Sequence, residues 1–556
     1  MNKLLLTLII HFTLLNFSFS QNFYLKTKTN DSTSQPTLNQ LLNFKNLKEI
    51  NTHLLNTKES LFNQGYFNTE VSPLKKTNDS LYTTTITPNK QYTEIQIFHN
   101  KEIPNKKLEK ILTPETNIKT SHFTSKTKDL KTNLNSIIKH YVDSGKTFSK
   151  LQLQNITIID DLVSAQLNTT TSKTNSINNI VIKGYEKFPR KFLKHQLNIR
   201  TNKKLNTSEL EKKSNQINSL RFASESQKPG VLFTKDSTEV YLYITKKQSN
   251  SFDGFLGFSS DTETNKIEFN GNINLQLINN LNSGEELHLR YQSTENEQRK
   301  LNLRTNIPFL FNSPISFEGE LDIFRKDSTF TNTQQHIRTF YQINSNLKIG
   351  TGIEFTNSNA LKNLSITNTD YKKTNYTLNI EHSKPSQNKL FVNKTLTRLK
   401  IGTGKRTGET NTTQQNISLS SEYTFDLNQR NAIYIKNQSH YLISENLLEN
   451  ESHFIGGINS IRGFQENSIP SNLYNILNLE YRITLNNSIY IHSVTDYGYT
   501  KNQINNATNN LFGFGLGFGL QANNNLLRFI FANSKTNKEI VKFSNSKIHL
   551  SLKTIF

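Results

Sequence analysis

The chain has 556 residues, 34% of them hydrophobic, with 66 basic against 44 acidic side chains, a net charge of +22 and no cysteine. The lack of cysteine excludes disulfide frameworks and thiolate metal sites. No apolar run beyond the N-terminus approaches the roughly 18 residues of a membrane helix. With a mean hydropathy of −0.60 this excludes a helical membrane protein, but not a β-barrel, whose strands show lipid at every second side chain only.

The basic residues are scattered among Asn and Thr. That suits a solvated surface facing anionic headgroups better than nucleic acid. At the start, Lys3 precedes an apolar run from Leu4 to Leu15, and Ser18-Phe19-Ser20 ends it before Gln21. This pattern predicts a signal peptide over 1–20 and export of the rest.

An internal repeat follows. YTEIQIFHNKEIPNKKLEKIL from Tyr92 aligns with INNIVIKGYEKFPRKFLKHQL from Ile177 at a constant offset, pairing Ile95 with Ile180, Ile97 with Ile182, Pro104 with Pro189, and Leu108 with Leu193. Each copy predicts an alternating strand, a turn, and a helix opening after the proline. A second echo pairs Ile50, Leu54, Gly65 and Val71 with Leu130, Leu134, Gly145 and Leu151. It predicts a helix, a glycine that ends it, and a strand. With closing strands at Leu81–Ile86, Ile156–Leu167 and Val240–Ile244, the expectation is three βααββ units over 22–88, 90–172 and 176–248.

From residue 251 to 556 the period is two. KIEFNGNINLQL sets Ile267, Phe269, Ile273, Leu275 and Leu277 on one face, and ISFEGELDI repeats the pattern. Sixteen strands would leave about 19 residues for each strand and its turn, enough for a ~10-residue transmembrane strand. The expectation is an all-β transmembrane barrel of 16 antiparallel strands over 251–556, ending on the alternating Ile548, Leu550, Leu552 and the aromatic Phe556.

Catalytic patterns fail. There is no HExxH, the Gly513 run lacks the sixth position of GxGxxG, and Gly145-Lys146-Thr147 has His140 where a phosphate loop needs its first glycine. No enzyme, metal site or cofactor is expected. In LFGFGLGFGL, Gly513, Gly515, Gly517 and Gly519 leave one strand face bare, with Leu511 on that face and Phe514, Leu516, Phe518 and Leu520 on the other. A bare inner face would let a loop pack tightly against the wall.

Phe454 to Ser468 reads FIGGINSIRGFQENS, followed by LNLEYRITL and SVTDYGY. Together these resemble the BamA/TamA superfamily of outer-membrane assembly factors, the bacterial surface antigen family. Ile461, Arg462, Gly463 and Phe464 match its RGF/RGY hallmark, with Ile461 in place of the usual Val; Glu480 and Arg482 match the acidic-x-Arg strand, and Asp496 and Gly498 the Asp-x-Gly strand.

The resemblance implies polypeptide-transport-associated (POTRA) domains in the periplasm and a barrel in the outer membrane. It implies a loop tip folded into the lumen, with Arg462 paired to Asp496 and Glu480, Gly456 and Gly457 shaping the path, and Phe464 as anchor. Ile548 to Phe556 would be a C-terminal strand signal, closing against Phe252 to Phe258. The implied partners are unfolded outer-membrane or secreted clients, outer-membrane lipids and accessory periplasmic or lipoprotein subunits, without nucleic acid or cofactor. The expected function is assembly or insertion; a two-partner secretion transporter and a porin with periplasmic modules are the alternatives.

Overall fold

The computed structural model describes residues 22–29, 38–99, 103–260, 267–293, 298–361, 368–386, 388, 390–391, 393–522, 524–537, 541 and 546–556, save the side chains of 255–260 and 267–270. The expected signal peptide over 1–20 lies outside them. The chain divides into two compact units, one of residues up to 176 with 204–208, the other of 177–203 with 209–556.

The first unit holds two α/β repeats. In both, the first strand runs parallel to the last: Phe23–Thr29 beside Leu81–Thr87, and Glu94–His99 beside Leu162–Thr170. A long helix crosses between them, Leu47–Asn63 and Thr127–Asp143 respectively. The ends of the first helix have local causes: the Asn46 side chain accepts the Glu49 N–H at 2.9 Å, and the chain reverses at Gly65 (φ +98°), where the Tyr66 N–H bonds the Leu61 carbonyl. Inward strand residues and one face of each helix fill the two cores, Leu25, Ile50, Leu54 and Ile86 in one and Ile95, Ile97, Leu130, Ile137 and Val163 in the other.

Two details differ from the sequence pattern. Each of these repeats has an extra strand before its long helix, Leu41–Phe44 at a sheet edge and His122–Lys126 between Glu94–His99 and the two-residue edge strand Asn117–Ile118, the second a short period-two stretch with Phe123 and Ser125 inward. The stretch expected as one strand over Ile156–Leu167 is a hairpin, because Asp160 and Asp161 both take left-handed backbone (φ +46° and +66°) and form a two-residue turn.

The second unit opens with a third repeat, whose strand Asn179–Gly184 pairs parallel with Thr238–Lys246, itself paired antiparallel with Ala223–Phe233. The chain then forms a closed barrel of sixteen antiparallel strands from Ser251–Ser260 to Lys547–Ile555. Strand parity sorts its side chains. Ile337, Leu378, Ile401, Ile417, Leu479 and Leu516 face outward and are exposed to lipid, while Glu318, His336, Glu354, Arg406, Asn416, Glu480 and Asp496 are buried inward. A polar interior enclosed by an apolar band explains how so hydrophilic a chain spans a membrane.

Closure is narrow. Ser251, Phe252 and Asp253 register against Ile555, Thr554 and Lys553, whereas the first strand shares ten register pairs with the second, and the last shares eight with its other neighbour. The expected closure over Phe252 to Phe258 therefore reaches only Asp253.

Candidate functional site, a loop locked inside the barrel

Between barrel strands Asn431–Ile443 and Leu473–Thr484 the chain makes a long excursion containing a small hairpin, His453–Ile455 with Ile469–Ser471. The hairpin carries residues 456–468 as its tip. The floor beneath that tip is set by register. Asn478 pairs with Asp496, Asp496 with Gly513, and Gly513 with Ser534, forming one row across four strands.

The tip lies along this row. Asn478 Nδ2 donates to the Ser460 carbonyl (2.8 Å), and Asp496 takes the Arg462 side chain. Gly513 lies under the Arg462 carbonyl, and Ser534 Oγ donates to the Gly463 carbonyl (2.9 Å).

Arg462 is 4% exposed, Asp496 2% and Glu480 7%, so the charges meet out of water. Asp496 Oδ2 accepts from the Arg462 backbone N–H and from Nε, each at 2.9 Å, and Oδ1 accepts from Nη2 at 2.6 Å. Nη1 donates to Glu480 Oε1. Such fork geometry is available to a guanidinium but not to an ammonium. Burial disfavours the Arg462 charge, yet the hydrogen bond and charge of Asp496, joined by Glu480, hold it more firmly protonated than usual.

Arg482 supplies the second cation. It donates to Glu480 Oε2 at 2.8 Å and lies over the rings of Tyr434 (3.7 Å) and Phe391 (4.5 Å). Two carboxylates thus face two guanidiniums.

Apolar packing seats the tip as well. Ile461 is fully buried with Ile455, Ile476 and Leu511, and Phe464 packs against that group. Gly463 has φ +90°, and a Cβ there would stand 2.7 Å from the Asn533 backbone, so both conformation and space require glycine. Gly456 and Gly457 begin the tip and pack against Gln465 and Glu466.

Of the glycine strand, Gly513 meets the loop: a Cβ would lie 2.4 Å from the Arg462 carbonyl. Gly515 lies against the neighbouring Phe531 and Ala532 backbone, while Gly517 and Gly519 make room for the side chains of His492 and Tyr490. The bare face therefore receives the loop at one residue and side chains of the adjacent strand farther along. Ile548, Leu550, Leu552 and Phe556 face outward at 65%, 68%, 52% and 48% exposure.

The loop has a second anchor that the motifs did not single out. Glu451, three residues before Phe454, binds Arg406 Nη1 (2.5 Å) and Gln414 Nε2 (2.7 Å), with Arg406 fully buried. Asn450, also fully buried, donates to Ser358 Oγ and the Thr369 carbonyl, and its own carbonyl accepts from Asn332 at 2.7 Å. In the sequence Arg406 resembles a turn cation in GTGKRTG. Counting parity inward from the outward-facing Ile401 would have exposed it.

Comparison with known proteins bears on this region. Residues 402–552 match the Omp85 superfamily domain, which covers the loop, the partners of Arg462, the Arg406–Glu451 pair and the glycine strand. Among solved structures, CdiB from Acinetobacter baumannii aligns with a TM-score of 0.52 at 14% identity over 92% of this chain and 97% of its own. CdiB from Escherichia coli aligns with 0.51 at 12% identity over 92% and 98%. BamA from Haemophilus ducreyi lacking POTRA domains 1–3 aligns with 0.49 at 14% identity over 84% and 99%. A comparison with curated proteins gave no match. The barrel thus carries an Omp85 superfamily domain over residues 402–552, and the chain shares the fold of the two CdiB structures along nearly its whole length.

Proposed function

We propose that this chain is an assembly factor of the BamA/TamA type. It receives unfolded outer-membrane or secreted clients on its periplasmic repeats and helps them insert at the seam between the first and last barrel strands. The observation that carries this reading is the seam itself, with three register pairs against ten and eight at the flanking contacts.

Unpaired backbone beyond Asp253 and before Lys553 can template an incoming strand by β-augmentation. No cofactor or hydrolysis is required, because the client's own barrel burial drives the step. The repeats offer comparable edges, with Lys150–Ile159 and Ala223–Phe233 each paired on one side in its sheet. The lock at Arg462 holds the loop against strands near the C-terminal side of the seam, so that the wall keeps its shape while the seam exchanges partners.

Depletion of the protein followed by quantitation of the outer-membrane proteome tests the reading. Loss of many barrel proteins is the expected result. Loss of one secreted protein alone would establish a dedicated two-partner secretion transporter, and an unchanged proteome with altered solute permeability a porin.

A further inference from the structure

The turn after the fourth barrel strand, residues 308–314, contains three left-handed residues, Phe309 (φ +53°), Phe311 (φ +51°) and Asn312 (φ +56°). Left-handed backbone is disfavoured for a bulky side chain, so something must hold this turn. The third repeat does so. Phe309, 4% exposed, packs edge-on to Phe192 (4.9 Å) and stacks on His195 (5.5 Å). Lys191 Nζ donates to the Pro308 carbonyl (2.6 Å), and His195 Nε2 hydrogen-bonds the Asn312 carbonyl (2.7 Å). The neighbouring periplasmic turn is held too, by Tyr185 Oη donating to Asn282 Oδ1 (2.6 Å).

The consequence is an unusual display. Phe311 is 98% exposed and Leu281, on the neighbouring turn, 80%. The third repeat holds the backbone, but in water the bare Phe311 ring gains nothing from its display; at a lipid interface it gains burial.

The charge beside it fits the same surface. Residues 183–203 carry seven Lys and Arg against one acid, Glu186, so the basic residues are concentrated here rather than scattered as the sequence suggested. Lys187, Arg190, Lys194 and Arg200 are all exposed. The two arginines bond to backbone carbonyls, Arg190 to Ile180 (3.3 Å) and Arg200 to Lys194 (3.0 Å). Among the described residues neither they nor the two lysines show an ion pair with a carboxylate.

We propose that residues 183–203 of the third repeat, with Phe311 and Leu281, form a docking surface for the periplasmic leaflet, binding anionic phospholipid headgroups through the cations and seating Phe311 at the headgroup–acyl boundary. The surface fixes the last repeat on the membrane beside the barrel mouth. It acts independently of which client the protein handles.

The chain has no tryptophan, so Phe311→Trp creates a sole reporter. The full chain is placed in phosphatidylcholine nanodiscs with or without phosphatidylglycerol. Deuterium uptake over 183–203 is measured for the unsubstituted protein, and indole emission for the Phe311→Trp variant. With phosphatidylglycerol, uptake should slow, and brominated acyl chains should quench the tryptophan. High salt should reverse the slowing, and Lys194→Glu and Arg200→Glu should each weaken it by about fivefold. Uptake that is equal in the two lipids overturns the proposal, as does emission indifferent to brominated lipid. If the tryptophan variant does not fold, the uptake of the unsubstituted chain decides.

Discussion

Arg462 is a charge kept out of water by its surroundings. Its guanidinium uses the fork on Asp496, its remaining nitrogen on Glu480, and its own backbone N–H on Asp496 again. A buried pair of this kind adds little over an apolar substitute but is costly to break, because the orphaned partners stay buried. In Arg462→Ala, Asp496 loses its cation while Glu480 keeps Arg482. Loop seating should weaken by roughly 3–5 kcal/mol, seen as faster deuterium uptake over 456–468 with unchanged circular dichroism of the barrel. Arg462→Lys should not restore it, since one ammonium cannot serve both carboxylates in that geometry. Unchanged uptake in Arg462→Ala would refute the lock.

At the scale of elements, the inner wall works as a row rather than as single strands. Asn478, Asp496, Gly513 and Ser534 each meet one group of the loop tip because antiparallel register places them side by side. Adding a methyl to this wall has a position-dependent cost. Gly513→Ala places a carbon 2.4 Å from the Arg462 carbonyl, so the tip must lift, whereas Gly517→Ala meets the His492 ring and the Phe529 carbonyl of the neighbouring strand, both outside the tip. Protease sensitivity of residues 456–468 should therefore rise in Gly513→Ala and stay near normal in Gly517→Ala. Equal behaviour of the two would place the loop elsewhere.

The same scale explains what was legible in advance. Period-two alternation and repeat spacing reveal barrel and repeats because burial on one face is written locally, and short motifs single out Arg462, Glu480 and Asp496. The row itself is not local: register depends on turn lengths and on how the barrel closes, so nothing within a single strand names Ser534 or Asn478. Arg406 and Glu451 lie 45 positions apart in stretches that look like solvated turns. The hairpin at Asp160-Asp161 is hard to read because a β-rich stretch hides its own turn when no glycine marks it.

At the scale of the molecule, three repeats with open sheet edges lead by chain order into a barrel whose weakest junction joins its first and last strands. The lock and the loop base hold the wall at points from strand 6 to strand 15, and the seam lies outside that span. On the proposed function, a held wall and a weak seam let the barrel lend an edge without losing its shape. The most direct test ties the seam shut. Phe252 and Thr554 are register partners, and the chain has no cysteine to compete. Phe252→Cys with Thr554→Cys is therefore oxidised in proteoliposomes, and the folding of an unfolded barrel client is followed before and after reduction. Oxidation should lower client insertion to the rate of empty liposomes, and reduction should restore it. Equal insertion in both states would contradict it.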